Sequence, residues 1–260
     1  KDGCLDYLQS KGINCYVQFT LNDYVREGLE RGVPSVDNRI ETFKNLVDRL
    51  GFGHVIWRFD PLILTDKIGI DDLIYKIEYI GNKLKGYTEK LVFSYADIKN
   101  YKRVQSNLIK NNIHYREFTE SDMNEFAFKL AKLNKDWGYV LATCGEEIDI
   151  SKYGIQHNKC VDDDLMIKYF HHDAVLMNHL GVDIRSAGLF SDEMMVIKKK
   201  NNKDKGQRLF CGCVVSKDIG EYNTCPHLCE YCYANSSKET AVKNWEKHRI
   251  NSICETITGE

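Results

Sequence analysis

Short runs rich in β-branched and aromatic residues recur along the first 150 positions, each followed by apolar residues at helical spacing. Asn14-Cys-Tyr-Val-Gln-Phe-Thr20 predicts a strand, after which Ile40, Phe43, Val47 and Leu50 fall on one face of a helix over 35–50. His54-Val-Ile-Trp-Arg-Phe-Asp60 predicts a second strand, closed by Pro61. The helix after it carries Asp71 and Asp72 in its first turn and Leu73, Ile74, Ile77 and Ile80 as its buried stripe. Leu91-Val-Phe-Ser-Tyr95 is the third strand, and two helices follow. The second of them opens on a Thr119-Glu-Ser-Asp122 capping box and buries Met123, Phe126 and Leu130. Tyr139-Val-Leu-Ala-Thr-Cys144 is the fourth strand. Strands alternating with helices, with no Asn-Gly hairpin signal between them, predict parallel βαβ units and an α/β chain.

From Ile148 the pattern weakens. A short helix over Asp163–Phe170 and another near Lys238–His248 are expected, with an irregular insertion over 171–205. The basic run at 198–205 reads as a solvated loop rather than a nucleic-acid patch. This divides the chain into a partial (β/α) barrel over 1–205 and a cysteine-rich segment with a closing helix over 206–260, packed on the barrel. The 260 residues, 43% hydrophobic with a net charge of −2, describe an ordinary globular chain with no electrostatic reason to seek nucleic acid. No apolar run reaches the 18 or so residues of a membrane helix, so no membrane partner is expected. Opening on Lys1 with no signal-like stretch leads to a cytoplasmic expectation and suggests that an upstream stretch is absent.

Half of the ten cysteines fall between positions 211 and 232. Cys225, Cys229 and Cys232 form a Cys-x3-Cys-x2-Cys run, a spacing that can hold three irons of a [4Fe–4S] cluster and leave the fourth open. The same thiols also suit a zinc knuckle completed by Cys211 and Cys213, or are simply buried small residues. The run resembles the cluster loop of radical-SAM enzymes, in which the slot of Tyr231 is usually aromatic and packs against the adenine of S-adenosylmethionine. Its place near the C-terminus departs from theirs, where the loop follows the first strand of the barrel.

Gln18-Phe-Thr20, Trp57-Arg-Phe-Asp-Pro61, Thr143-Cys-Gly-Glu-Glu147, Cys211-Gly-Cys213 and the stretch Tyr222–Asn235 resemble an uncharacterised bacterial family. Its members are described as a domain of unknown function with a radical-SAM-like cysteine cluster at the C-terminus. The resemblance runs from about Cys15 to Asn235. Members begin upstream with two more strands, including a Ser-Arg-Arg-Thr-Asp segment that this sequence lacks. The resemblance therefore implies an incomplete parallel barrel like the radical-SAM half-barrel, its cysteine-rich loop lying over the mouth.

Cys144, at the end of the fourth strand, Cys160 and the pair Cys211 and Cys213 are candidates for a second metal site, either a second [4Fe–4S] cluster or a zinc. The alternative is that Cys144 and Cys160 are small buried hydrophobes. Cys4, Cys15 and Cys254 read as structural. Polar residues at strand ends come next: Gln18, Thr20, Arg58, Asp60, Ser94, Asp97, Glu146 and Glu147. Arg58 and Asp60 face the same way along a strand, as a structural ion pair or as a grip on the carboxylate and ribose of S-adenosylmethionine or on a substrate. Arg58, Asp60, Glu146 and Glu147 are the catalytic candidates; Tyr231, Gln18, Arg58 and Asn235 are the cofactor-binding candidates. His227 reads as a loop-ordering hydrogen-bond donor, and no role is read for His171 and His172.

The leading expectation is an iron–sulfur protein that binds S-adenosylmethionine at the open iron and cleaves it reductively to a 5′-deoxyadenosyl radical, fed by an electron donor such as flavodoxin or ferredoxin. The alternative is a non-catalytic zinc- or cluster-stabilised barrel acting as a binding module. A metal-dependent hydrolase using Asp60, Glu146 and Glu147 ranks last, because no histidine-rich ligand set accompanies them.

Overall fold

A computed structural model of the chain describes residues 3–188 and 191–258. Its centre is a five-stranded, all-parallel sheet of β1 (Val17–Thr20), β2 (Val55–Leu62), β3 (Lys90–Tyr95), β4 (Val140–Thr143) and β5 (Ile155–His157), each strand added beside the one before it in the chain. Helices α1 (Gly3–Ser10), α2 (Val36–Leu50), α3 (Ile70–Leu84), α4 (Lys102–Lys110), α5 (Glu120–Leu133), α6 (Asp163–Phe170), α7 (Ala174–Leu180) and α8 (Lys238–Ile250) surround it. The protein is a mixed α/β structure.

The alternation of side chains along a strand gives the sheet two unlike faces. Trp57, Phe59, Leu91, Phe93, Leu141 and Ile155 form one, packed against Ile40 and Phe43 of α2, Leu73, Ile77 and Ile80 of α3, and Phe126 and Leu130 of α5. Fully burying each such side chain stabilises the fold by about 1.5–3 kcal/mol, so this layer is the main core. The opposite face carries Gln18, Ile56, Arg58, Asp60, Val92, Ser94 and Ala142, aligned by the registers Gln18 to Ile56, Arg58 to Val92 and Val92 to Ala142. Ile56 and Val92 are covered by Leu165 of α6, with Gln18 and Arg58 level with them and Asp60 and Ser94 nearer the C-terminal strand ends.

Local signals set the helix starts. Ser35 accepts from the Asn38 amide at 3.3 Å ahead of α2, and Thr119 and Asp122 cap each other ahead of α5. The structure departs from expectation in three places. β2 runs through Pro61 to Leu62, because the register with β3 shifts between Phe59 and Leu62 and proline's missing N–H falls at that irregularity. β5 is three residues long, too short for any periodicity to declare it. The stretch 171–205 carries α7 and an antiparallel hairpin of β6 (Val182–Gly188) and β7 (Ser191–Lys198). A small second cluster of Ile167, Met177, Leu180, Val182 and Val214 joins this unit to the cysteine-rich segment. Lys198 of β7 pairs with Asp163 at 2.6 Å, so the basic run begins as an ion-paired strand end. Among the described residues, no helix is long and apolar enough to cross a membrane.

Candidate metal centres

Between Gly206 and Ser236 the chain forms no helix and no strand, and it is held by what it touches. Its cysteine loop lies on the segment that follows β1, at the C-terminal edge of the sheet. The Glu230 amide donates to Leu29 O at 2.9 Å, and the Gly32 amide donates to His227 O at 3.0 Å. Gly32 permits that approach, since a Cβ there would sit 2.6 Å from Pro226 O and 2.8 Å from His227 O. The ordering bond at His227 thus runs through its carbonyl. Asn223 closes the loop from behind: its amide donates to Ala234 O at 3.1 Å, and its side-chain oxygen accepts from the Ser236 hydroxyl at 2.6 Å. Glu230, between the last two cysteines, is fully buried and is gripped by Lys238 at 2.6 Å, Arg31 at 3.2 Å and Asn111 Nδ2 at 3.0 Å.

Tyr231 points inward. Its ring meets Tyr24 edge-on at 6.0 Å, and its hydroxyl donates to Glu30 while accepting from Asn22 Nδ2 at 3.0 Å. Burial, with the Glu30 carboxylate beside it, pushes this phenol well up, so it stays a donor. Cys225 is exposed, while Cys229 and Cys232 are half-buried. Burial pushes the Cys229 thiol up to about 12, which a bound cation would reverse. Asn235 is buried; its Nδ2 donates to Cys225 O at 2.9 Å and its Oδ1 has no partner. Three thiols on one loop, with an orphaned buried acceptor at its base, are a donor set that suits a cluster with one open iron.

Asn22 joins this loop to the polar face of the sheet. It accepts from the Asp60 amide at 2.8 Å and donates to Asp60 O at 3.2 Å. The Asp60 carboxylate accepts from Arg58 and from the Ser94 hydroxyl. Arg58 also donates to Gln18 Oε1, and to Cys160 Sγ at 2.9 Å. Burial lowers the Arg58 guanidinium, but Asp60, Cys160 and Cys144 outweigh it, so the net shift is upward and the cation is permanent. Gln18 uses both ends inside the protein, its Nε2 donating to Cys160 O. Glu146 accepts from the Tyr95 amide at 2.9 Å, and burial raises its carboxyl to about 7. Glu147, Thr20 and Asp97 are exposed. Two hollows of about 380 and 590 Å³ lie beside α7, lined by residues such as Met177 and Val182 in one and Gln9 and Asp173 in the other.

The second thiol group assembles from three segments. Cys144 and Cys160 bring their sulfurs to 3.3 Å. Cys213 Sγ accepts from the amides of Cys160 at 3.1 Å and Val161 at 3.4 Å, and Cys211 is buried two residues away. Hydrogen bonds from the Cys144 and Cys213 thiols, against burial and with help from Arg58, pull the Cys160 thiol strongly down. Contact with Cys160, then burial, pushes Cys144 and Cys213 up. Among the described residues, Asp162, Asp163 and Asp164 form the one set of three acidic, thiol or imidazole ligands lying within 4.8 Å of one another, and Lys90, Lys159 and Lys198 neutralise it. The four thiols form a string, Cys144 to Cys160 to Cys213 to Cys211.

Residues 3–234 match the family described as a domain of unknown function, DUF1848. The chain belongs to that family. The match takes in the whole parallel sheet and both thiol groups of this DUF1848 chain, and ends one residue before Asn235. No curated protein and no solved structure matches the chain. Asn22, Glu30 and Glu230 are residues beside the candidate site that sequence reasoning missed. Of these only Glu230 carried a signal, as a charge set between two cysteines.

Proposed function

We propose that the loop of Cys225, Cys229 and Cys232 holds a [4Fe–4S] cluster whose open iron takes S-adenosylmethionine, in a sheet that we read as a radical-SAM-like half-barrel. One observation carries the reading: the three-thiol loop is hydrogen-bonded onto the C-terminal edge of a parallel sheet, where Tyr231 and Asn22 link it to Asp60. That edge is where parallel α/β proteins place their chemistry. When bound, the cluster supplies one-electron reductive cleavage of S-adenosylmethionine, the electron coming from a donor such as flavodoxin or ferredoxin.

The chain's own residues hold and orient. Glu30 and Asn22 fix the Tyr231 ring as a wall for the adenine. Asn235 offers its unpartnered Oδ1 to a cofactor N–H. Arg58, locked by Asp60 and Gln18, provides a charged floor beneath the loop. Glu146, with a carboxyl near 7, can take or give a proton at the same edge. A non-catalytic, metal-stabilised binding module is the second reading. It is favoured by Leu209, Val215 and Ile219, which stand exposed at 77%, 58% and 84% beside the cysteines and offer a surface rather than a cavity.

Electron paramagnetic resonance of the anaerobically reduced protein tests the proposal. Adding S-adenosylmethionine is expected to change the cluster signal and, with dithionite, to yield 5′-deoxyadenosine. A signal indifferent to S-adenosylmethionine, with no nucleoside formed, contradicts it.

A further inference from the structure

We infer that Cys144, Cys160, Cys211 and Cys213 form a second metal centre, a metal–thiolate site on the polar face of the sheet, separate from the C-terminal loop. A buried cysteine that only fills space needs no hydrogen-bond donors at its sulfur, because a thiol is a weak acceptor. Here two sulfurs are each approached by two N–H donors. Cys160 Sγ accepts from Arg58 at 2.9 Å and from Asn158 Nδ2 at 3.4 Å. Cys213 Sγ accepts from the Cys160 and Val161 amides at 3.1 and 3.4 Å. Donors aimed at sulfur are the outer-shell support that orients thiolate ligands and offsets their charge.

Spacing fits one pair of sulfurs, while no three of the four lie within 4.8 Å of one another, so loading must draw the string together. Two sulfurs about 2.3 Å from one tetrahedral ion lie ~3.8 Å apart, and the Cys144 and Cys160 sulfurs are 3.3 Å apart. Cys211 and Cys213 flank Gly212 on a strap that passes close to the 158–159 segment; a Cβ at Gly212 would lie 3.0 Å from Lys159 Cγ. Four thiolates around one divalent ion leave a net negative charge, and Arg58 is the permanent cation in contact with it. The ligand chemistry is that of a thiophilic metal, supplied either by a zinc ion or by an iron–sulfur cluster. Loading would also fix Arg58, and with it Asp60, because one guanidinium contacts both.

The inference stands apart from the loop's function, and the test keeps them separate. The chain carrying Cys225→Ala, Cys229→Ala and Cys232→Ala, purified anaerobically, is assayed for zinc, iron and acid-labile sulfide. One zinc, or iron with matching sulfide, is expected to remain per chain and to fall at least tenfold when Cys144→Ala and Cys213→Ala are added. Zinc alone and iron with sulfide identify the two sources. Should the five-substitution chain fail to fold, a Co²⁺ titration of the metal-stripped three-substitution chain decides, since thiolate ligation gives intense charge-transfer absorption near the ultraviolet edge. A three-substitution chain without metal and without that absorption overturns the inference, as does metal retained unchanged after Cys144 and Cys213 are replaced. Failure of the loop proposal reads differently: iron per chain equal in wild type and three-substitution chain.

Discussion

The central sheet and the cysteine-rich segment of residues 206–235 occupy one molecule but stand on different forces. The sheet buries Trp57, Phe59 and Phe93 completely against α2, α3 and α5, and its backbone groups are paired within regular ladders. The segment leaves Leu209, Ile219 and Tyr222 largely exposed and has no ladder of its own. It is tied by single contacts to other elements: Glu230 to Arg31 and Lys238, Tyr231 to Glu30, His227 O to Gly32, and Cys213 to the amides of Cys160 and Val161. Apolar burial is a cooperative, area-driven term, whereas point contacts position a loop without stabilising it much. A segment built this way is suited to hold metal, because the ion supplies the stability that the apolar pattern lacks.

Removing metal breaks the comparison most strongly. Thiolate–metal binding can supply ~10–16 kcal/mol of folding free energy at a site that does not otherwise persist. Chelation or oxidative cluster loss is therefore expected to speed hydrogen exchange of amides in 223–235 by orders of magnitude, while β2 and β3 remain protected. Equal protection of the segment in metal-free and metal-loaded protein would show that its point contacts suffice.

A smaller effect is expected from Gly32→Ala. The new methyl meets two backbone carbonyls that cannot rotate away, Pro226 O and His227 O, so the loop must shift from the sheet edge. Overpacking of this kind costs about 1–3 kcal/mol, seen as a lower midpoint in urea, and iron per chain should drop with it. Unchanged midpoint and iron would mean that the loop is not seated on Gly32.

The smallest effect lies on the sheet side, at the start of α5. The hydrogen bond from Arg116, together with those from Thr119, holds the Asp122 carboxyl far below the usual carboxylate range. A depressed carboxyl stabilises the fold above its unfolded pKa and loses that contribution as pH falls through the folded value. Asp122→Asn should therefore cost about 1 kcal/mol near neutrality, the usual worth of a cap, and the difference from wild type should vanish in strong acid. Metal content should not change, since the helix start touches neither thiol group. A penalty that is constant with pH would show that the charge is not what matters there.

The same contrast explains what the sequence revealed. Trp57-Arg-Phe-Asp60 alternates apolar and polar residues because each strand residue must choose a face, so β1 to β4 are visible as runs. Ser35 and the Thr119–Asp122 box mark helix starts because orphan amides need those oxygens. Asp163 and Phe170 likewise bound α6 as expected. β5 escaped because three residues carry no period, and α7 with the hairpin escaped because their apolar residues complete a small satellite cluster rather than the main core. The cysteine spacing marked candidate ligands within a local loop. It gave no hint that Asn22 and Glu30, some 200 residues upstream, would clamp Tyr231, because such partners are chosen by the fold and leave no pattern near the loop.

Iron counting in anaerobically purified protein decides whether Cys225, Cys229 and Cys232 hold the proposed cluster. Wild type and the chain with all three replaced by Ala are compared for iron and acid-labile sulfide. A loss of about four irons and four sulfides per chain is expected on substitution. Equal iron in the two proteins, or wild type holding zinc and no sulfide, contradicts it.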